Sequence, residues 1–412
     1  IDPRNIRIFG YAEGMLNELT IGNTPPKLPE LPSYFEGESD GVFDANDFLL
    51  FFAKKADVWE WNSSSKAFIH EKHLYTDTVF YWINIGNDPA LRIQTQPQTS
   101  DALNKSFTTY ENHQFHELEK TNFIKSGKTW FGDYFDLAAG LKKNFLFTHA
   151  NKTIGEKVFF KAQFGVRSTT TTGNTITVKN AGSIIHKTGN ISAISTAYTA
   201  NYVTQKTIVD SFDITGLSSN LEFTYDYPTS GAVAWLDYLE VKTESNLILG
   251  SSPLFFSQPK SVGIGNVSEF SISNTNSNTR VWDVTSPYEV KEIIVDFNNS
   301  TTKFKSKTDS IKSFIAFSNS GFKTPFYVGK ASNQNLLALI DIDYIIITPY
   351  EFKSHADELA LFHEQNSGLS VKVVLLQEVY NEFSNGHPDI SGIRNFLKYI
   401  YENASSPETR LK

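Results

Sequence analysis

Cysteine is absent from all 412 residues. Disulfides, thiolate metal sites and a cysteine nucleophile are therefore excluded from this stretch of chain. Many surface proteins fold without disulfides, so this leaves the redox compartment open. Long apolar runs are also missing. No stretch of about 18 apolar residues is available to cross a bilayer as a helix, and no signal peptide opens the chain. A leader already removed would leave the same start. A single Met in 412 residues fits a first residue, Ile1, that is not a translation start. A basic excess is lacking too: the net formal charge is −8, Lys and Arg do not cluster, and no nucleic-acid partner is expected.

Aromatic residues are plentiful at 14%, with 33 Phe, and hydrophobic residues reach 40%. That is enough apolar surface for a sizeable core, and the length suits two to four domains. Four regions are expected. Residues 1–136 read as a β-rich N-terminal domain, with a strand at Asn5-Ile6-Arg7-Ile8-Phe9-Gly10. An extended proline-rich connector at 25–32 follows, then short aromatic strands at 47–53, 58–61 and 78–85. Residues 108–126 fit a strand or a short helix. Residues 137–245 are rich in Thr and Ser and read as a β-sandwich of jelly-roll type, with a hairpin tip at Ser168-Thr169-Thr170-Thr171-Thr172-Gly173-Asn174. Residues 246–335 carry further short strands, and no fixed-period repeat is present.

The pattern changes at 336–412. Asp343-Tyr344-Ile345-Ile346-Ile347-Thr348 and residues 371–376 are apolar runs of strand length, as expected of parallel strands buried on both faces. Between them a helix over 350–367 places Phe352, Ala356, Leu359, Ala360 and Phe362 along one face, and Gly368 stops it. Asp389 is suited to cap a second helix carrying Ile393, Phe396, Leu397 and Ile400. Two strands cannot cover a parallel sheet, so this region reads as the incomplete start of an α/β domain following tandem β-sandwich, jelly-roll-like domains in a mostly β chain.

Several constellations are candidate sites. Glu36, Glu38, Asp40, Val42, Asp44 and Asp47 occupy the ligand positions of a calcium loop, with Gly41 at its turn, and make calcium the one candidate cofactor. Glu stands where Asp is usual at the first two positions, and an acidic turn needs no ion. His113 and His116, with Glu117 or Glu119, or His70 and His73, have nitrogen donors for zinc. A strand turns residues three apart to opposite faces, however, so surface histidines are the preferred reading. Trp59, Trp61, Tyr81, Trp82, Trp130, Trp235 and Trp282 could stack on sugars, but in β-sandwiches such residues more often form core and cross-strand pairs. Asp136, Asp210, Asp213, Asp226 and Asp237 could pair as glycosidase carboxylates. Nothing in the sequence sets their separation, and they read as solvated.

The run Asp343-Tyr344-Ile345-Ile346-Ile347-Thr348-Pro349, the helix ending in Phe362-His363, the stretch Gly368-Leu369-Ser370-Val371-Lys372-Val373-Val374 and residues 378–386 resemble the start of the gingipain family of cysteine peptidases. Residues 279–287 and 328–336 resemble the segment leading into that peptidase. Residues 1–10 and 40–44 are similar to the N-terminal region of the family's type IX secretion sortases of Bacteroidetes. The resemblance implies a caspase-like α/β domain with a His and Cys dyad, and an endopeptidase and transpeptidase that removes C-terminal sorting domains from cargo and attaches the cargo to the cell surface. It implies as partners those sorting domains and an outer-membrane β-barrel of the secretion system, and a location at the outer membrane. The family's dyad falls beyond Lys412, so no catalytic residue is carried over, His355, His363 and His387 included, and these residues are expected to be inactive alone. The alternative is a non-catalytic β-sandwich adhesin or carbohydrate- or partner-binding protein.

Overall fold

A computed structural model describes residues 1–11, 14–19, 28–125, 128–227 and 229–412. It is mostly β, with 39% strand and 14% helix. The chain separates into two compact units: one of residues 97–281 and 293–322, the other of residues 1–96, 282–292 and 323–412.

The first of these holds a sandwich of eight principal strands, with the short strand Tyr134–Phe135 pairing beside Val233–Asn246. One sheet runs Thr109–Glu117, Val233–Asn246, Val158–Arg167, Thr204–Phe212, and the other Lys142–Thr148, Ser218–Asp226, Thr175–Asn180, Ser183–Lys187. Counted along the chain, the sheet orders are 1-8-3-6 and 2-7-4-5, the double Greek key of a jelly roll. The alternation in sequence explains the core. Val158, Phe160, Ala162 and Phe164 face inward from one sheet, and Leu221, Phe223 and Tyr225 from the other, all at 2% exposure or less. Burying one such phenylalanine contributes roughly 1.5–3 kcal/mol. The register of Val158–Arg167 against Val233–Asn246 shifts between Ala162 and Phe164. This bulge keeps both flanking halves aimed at the core.

The Thr-rich stretch 168–174 departs from expectation. It joins two strands of opposite sheets and so is a corner rather than a hairpin tip. Its end is fixed by Asn174, fully buried, which donates to Ile191 O at 3.0 Å and accepts from the Tyr225 hydroxyl at 2.8 Å. A second cluster in the same unit gathers Phe256, Phe270, Phe304 and Phe314, with Leu247, Ile272 and Val281.

In the other unit, Ile6–Phe9 pairs with Glu30–Leu31 on one side and Trp82–Ile85 on the other. Ser33–Glu36 pairs with Phe48–Phe51, and Val58–Asn62 with Ala67–Glu71. The expected connector at 25–32 lies partly outside the described residues, since 25–27 are not described. Its end is a strand, with Leu31 buried against the sheet. The strand expected over 78–85 is confined to Trp82–Ile85. The C-terminal α/β layer belongs to this unit and is described with the site.

Candidate functional site

Strand Tyr344–Thr348 pairs in parallel with Val371–Leu375, in register from Tyr344 with Val371 to Thr348 with Leu375. Three helices accompany them: α1 (Lys353–Ser367), α2 (Leu376–Phe383) and α3 (Ile390–Glu402). Val374, Val379, Phe383, Phe396 and Ile400 form a buried cluster, joined by Ile345, Ile347 and Leu336. Helix α1 lies against both strands outside that cluster. Its buried residues are the small Ala356 and Ala360, while Phe352, Leu359 and Phe362, expected on the packing face, are 61%, 44% and 56% exposed. Close approach of helix to sheet requires the small side chains, and this turns the large ones outward. The strands are likewise not buried on both faces, since Tyr344 and Lys372 are exposed.

Helix α2 is the element that the sequence pattern missed. It has no Ser, Thr, Asp or Asn at its start; instead the Glu378 carboxylate reaches back to accept from Leu375 N at 3.0 Å, half of a capping box. Asp389 does cap α3, accepting from Ser391 N at 2.7 Å.

Between α2 and α3 runs a turn of polar residues with almost no exposure. Ser384, Asn385 and Asp389 are at 1% or less and His387 at 5%. Within this unit, segments near the N-terminus supply the partners. The Asn385 side chain accepts from Trp82 Nε1 at 3.1 Å and donates to Phe80 O at 2.7 Å. The second Asp389 oxygen accepts from Leu16 N at 3.1 Å. Arg394 on α3 donates to Asn17 O at 2.8 Å and to Glu18 O. Asn385 and Gly386 have positive φ, and a Cβ on Gly386 would meet the Phe80 ring at 3.2 Å. His387 sits edge-on to His73, ring centroids 5.2 Å apart. Burial, then the neighbouring His73, pushes the His387 imidazole down to about 4. Burial also lowers His73, against the opposing pull of Asp389 and Asp57.

The other sequence candidates are dispersed. In the acidic loop, Glu38 pairs with Arg92 at 2.8 Å, Asp40 accepts from Val42 N at 2.9 Å, Asp47 accepts from Asp44 N at 2.8 Å, and Glu36 accepts from the Tyr34 hydroxyl. These bonds hold the loop without gathering its carboxylates. Among the described residues, no three His, Asp or Glu side chains are placed to hold a metal ion. His113 and His116 lie on strand Thr109–Glu117, where they take separate partners, Glu111 at 3.0 Å and Asp133 at 2.7 Å. The expected surface location does not hold for His73, which is 4% exposed, or for the half-buried His70, His113 and His116.

The five aspartates do not pair either. Asp210 binds His186 at 2.7 Å, Asp213 lies 3.8 Å from Lys157, Asp226 accepts from Thr175 and Thr177 at 2.9 and 2.7 Å, and Asp136 accepts from Ala139 N. Asp237, expected to be solvated, is buried on Val233–Asn246 and accepts from Gln163 at 3.1 Å. Burial, with Glu117 nearby, pushes its carboxyl up to about 6.

The aromatics are mostly paired: Trp59 with His70, Trp61 with Phe68 and Tyr81 with Phe51 at 5.0–5.3 Å, and Trp282 is buried. Trp130 is exposed. Trp235 packs on Phe123 and Tyr134 and lines a cavity of about 450 Å³ with Lys120, Asp133 and Lys143.

Residues 338–412 match the family model of Peptidase family C25. They comprise the two parallel strands and the three helices. Among solved structures, the crystal structure of dimeric latent PorU from Porphyromonas gingivalis superimposes with a TM-score of 0.84 at 23% identity, over 97% of this chain and 37% of that one. The fold is PorU-like. The chain spans little more than a third of the PorU chain it matches. A CBM36-1 domain of a multidomain xylanase from the hindgut metagenome of Trinervitermes trinervoides aligns with 32% of this chain and 96% of that one. Its TM-score is only 0.20, at 13% identity, too distant to bear on function. Comparison with curated protein sequences gives no match. No helix among the described residues is long and apolar enough to cross a membrane.

Proposed function

We propose that these 412 residues are the N-terminal part of a cell-surface cysteine peptidase of the gingipain type, acting as a sortase that removes C-terminal sorting domains from type IX secretion cargo and attaches the cargo to the surface. The observation that carries this reading is the match of residues 338–412 to Peptidase family C25 in a chain whose fold is PorU-like. Cysteine-peptidase chemistry needs a thiolate to attack the scissile carbonyl and an imidazole to exchange the proton. This chain contains no cysteine. His355 is exposed, His363 leans on the Tyr344 ring at 5.1 Å, and His387 is buried against His73. The nucleophile and its base are therefore assigned to polypeptide outside these residues, and the 412 residues alone are inactive.

The β-sandwiches would then hold cargo or an outer-membrane β-barrel near the peptidase. The test is deletion of the coding region for residues 338–412 in the source organism. Cargo retaining its C-terminal sorting domain and absent from the surface is the expected result. Normally trimmed, surface-attached cargo would overturn the assignment. A second reading, a non-catalytic carbohydrate- or partner-binding protein, draws on the cavity beside Trp235. It predicts that Lys143→Ala weakens glycan capture on an array and leaves cargo trimming unchanged.

A further inference from the structure

The polar turn between α2 and α3 has a feature that its structural role does not require. In a buried loop, every polar side chain should find a partner. Asn385 and Asp389 do, yet Nε2 of His387 and Nε2 of His73 are both buried with no hydrogen-bond partner. The two rings meet edge to face at the junction between the N-terminal segments and the C25-matching layer. Neutral imidazoles tolerate this arrangement. Two imidazolium rings would not, because neither charge could be hydrated or paired at Nε2.

We propose that the His73–His387 contact is a pH-sensitive latch, which holds residues 14–19 and 73–82 onto the turn at 384–394 near neutral pH and releases them on acidification.

The surrounding charges allow this. On the His73 side, Asp57 accepts from the His73 backbone N–H at 2.9 Å and is itself paired with Lys72 at 3.3 Å. His73 Nδ1 accepts from Tyr75 N and Thr76 N at 3.2 and 3.3 Å, which fixes it as the unprotonated nitrogen and leaves Nε2 carrying the hydrogen. Protonation of His73 must therefore break both of those bonds. On the His387 side, the neighbours are the Phe80 ring at 6.0 Å and His73. The Asp389 carboxylate, with the Tyr380 hydroxyl in its field, is already engaged by Leu16 N and Ser391 N. Asp389 and Asp57 favour charge on His73, but burial outweighs them.

The sign follows. An unfolded or released histidine titrates near 6.5, whereas His387 in place titrates near 4. Between those values the released state binds more protons, so the latch is at full strength above about 6.5 and weakens as pH falls toward about 4.

The experiment is hydrogen–deuterium exchange of the 412-residue chain at pH 7.5 and pH 4.5, corrected for intrinsic rates. Peptides covering residues 14–19 and 384–394 should exchange on the order of a hundredfold faster at the lower pH, as about two pH units of linked protonation between 6.5 and 4.5 imply. The jelly-roll peptides 158–167 and 233–246 should not change by as much. His387→Phe keeps a ring against His73 and Phe80 without the charge and should remove most of the pH effect. His73→Gln serves as the second variant should His387→Phe fail to fold. Equal exchange at both pH values, or an undiminished pH effect in a folded variant, would overturn the latch.

Discussion

The jelly roll and the α/β layer bury their apolar residues in opposite ways. In the sandwich, two sheets face each other, and Phe160, Phe164, Leu221 and Phe223 meet at exposures of 2% or less. In the α/β layer, six buried residues form the cluster, and α1 turns Leu359, Leu361 and Phe362 outward. A sandwich closes a core between its own strands. A two-stranded parallel sheet has too little width to cover the helices beside it. Stability should accordingly concentrate in the sandwich, while the α/β layer leans on the hydrogen-bonded turn at 384–394.

Truncation tests that contrast directly. Phe223→Ala should cost about 3–5 kcal/mol, read as a lowered urea midpoint, and a loss under 1 kcal/mol would show the sandwich core to be loosely packed. Asp237→Asn probes a buried carboxyl of that sandwich held well above its ordinary range. In the folded state it binds its proton up to about pH 6, whereas the unfolded carboxyl releases it near 3.9. Stability is thus lost as pH rises through that window and stays lower above it. Asparagine keeps an oxygen to accept from Gln163 and should add about 2 kcal/mol at pH 7.5 and almost nothing at pH 3.5; equal effects at both pH values would refute the account.

Asp389→Ala removes the α3 cap together with the acceptor for Leu16 N and should cost about 1–2 kcal/mol. Its signature is faster exchange at residues 14–19 with the sandwich unaffected. Phe362→Ser, on the exposed side of α1, should stay within about 0.5 kcal/mol of the parent in thermal melts. A larger loss would mean that this face is covered in solution.

Much of this was legible in the sequence where periodicity matched burial. Tyr344–Thr348, Val371–Leu375, the Gly368 stop and the Asp389 cap were all expected, because apolar runs and caps are local signals. The jelly roll was legible as a class from its β-branched runs, although its first strand, Thr109–Glu117, precedes the composition shift at Leu137. Helix α2 was not legible, since its start is made by Glu378 rather than by a residue at the cap itself. The turn at 384–389 was hidden for a different reason. Ser-Asn-Gly-His-Pro-Asp has the composition of an exposed turn, and its burial depends on Phe80, Trp82 and Leu16, some 300 residues earlier in the chain. The solvated reading of Asp237 failed similarly, as the bulge beside Gln163 gives that carboxyl a partner no sequence window contains.

The division of the chain also orders events during synthesis. Residues 97–281 and 293–322 have all their sandwich partners within 226 positions of one another, so this unit can fold while translation continues. The strands of residues 1–96 emerge some 300 residues before the turn that Trp82 and Leu16 grip. Those early strands must wait, partly assembled, for a turn made much later. Such long-range closure is slow and leaves apolar strands uncovered in the interval. A ribosome pause or chaperone acting on this chain would have its greatest effect before residue 389 appears.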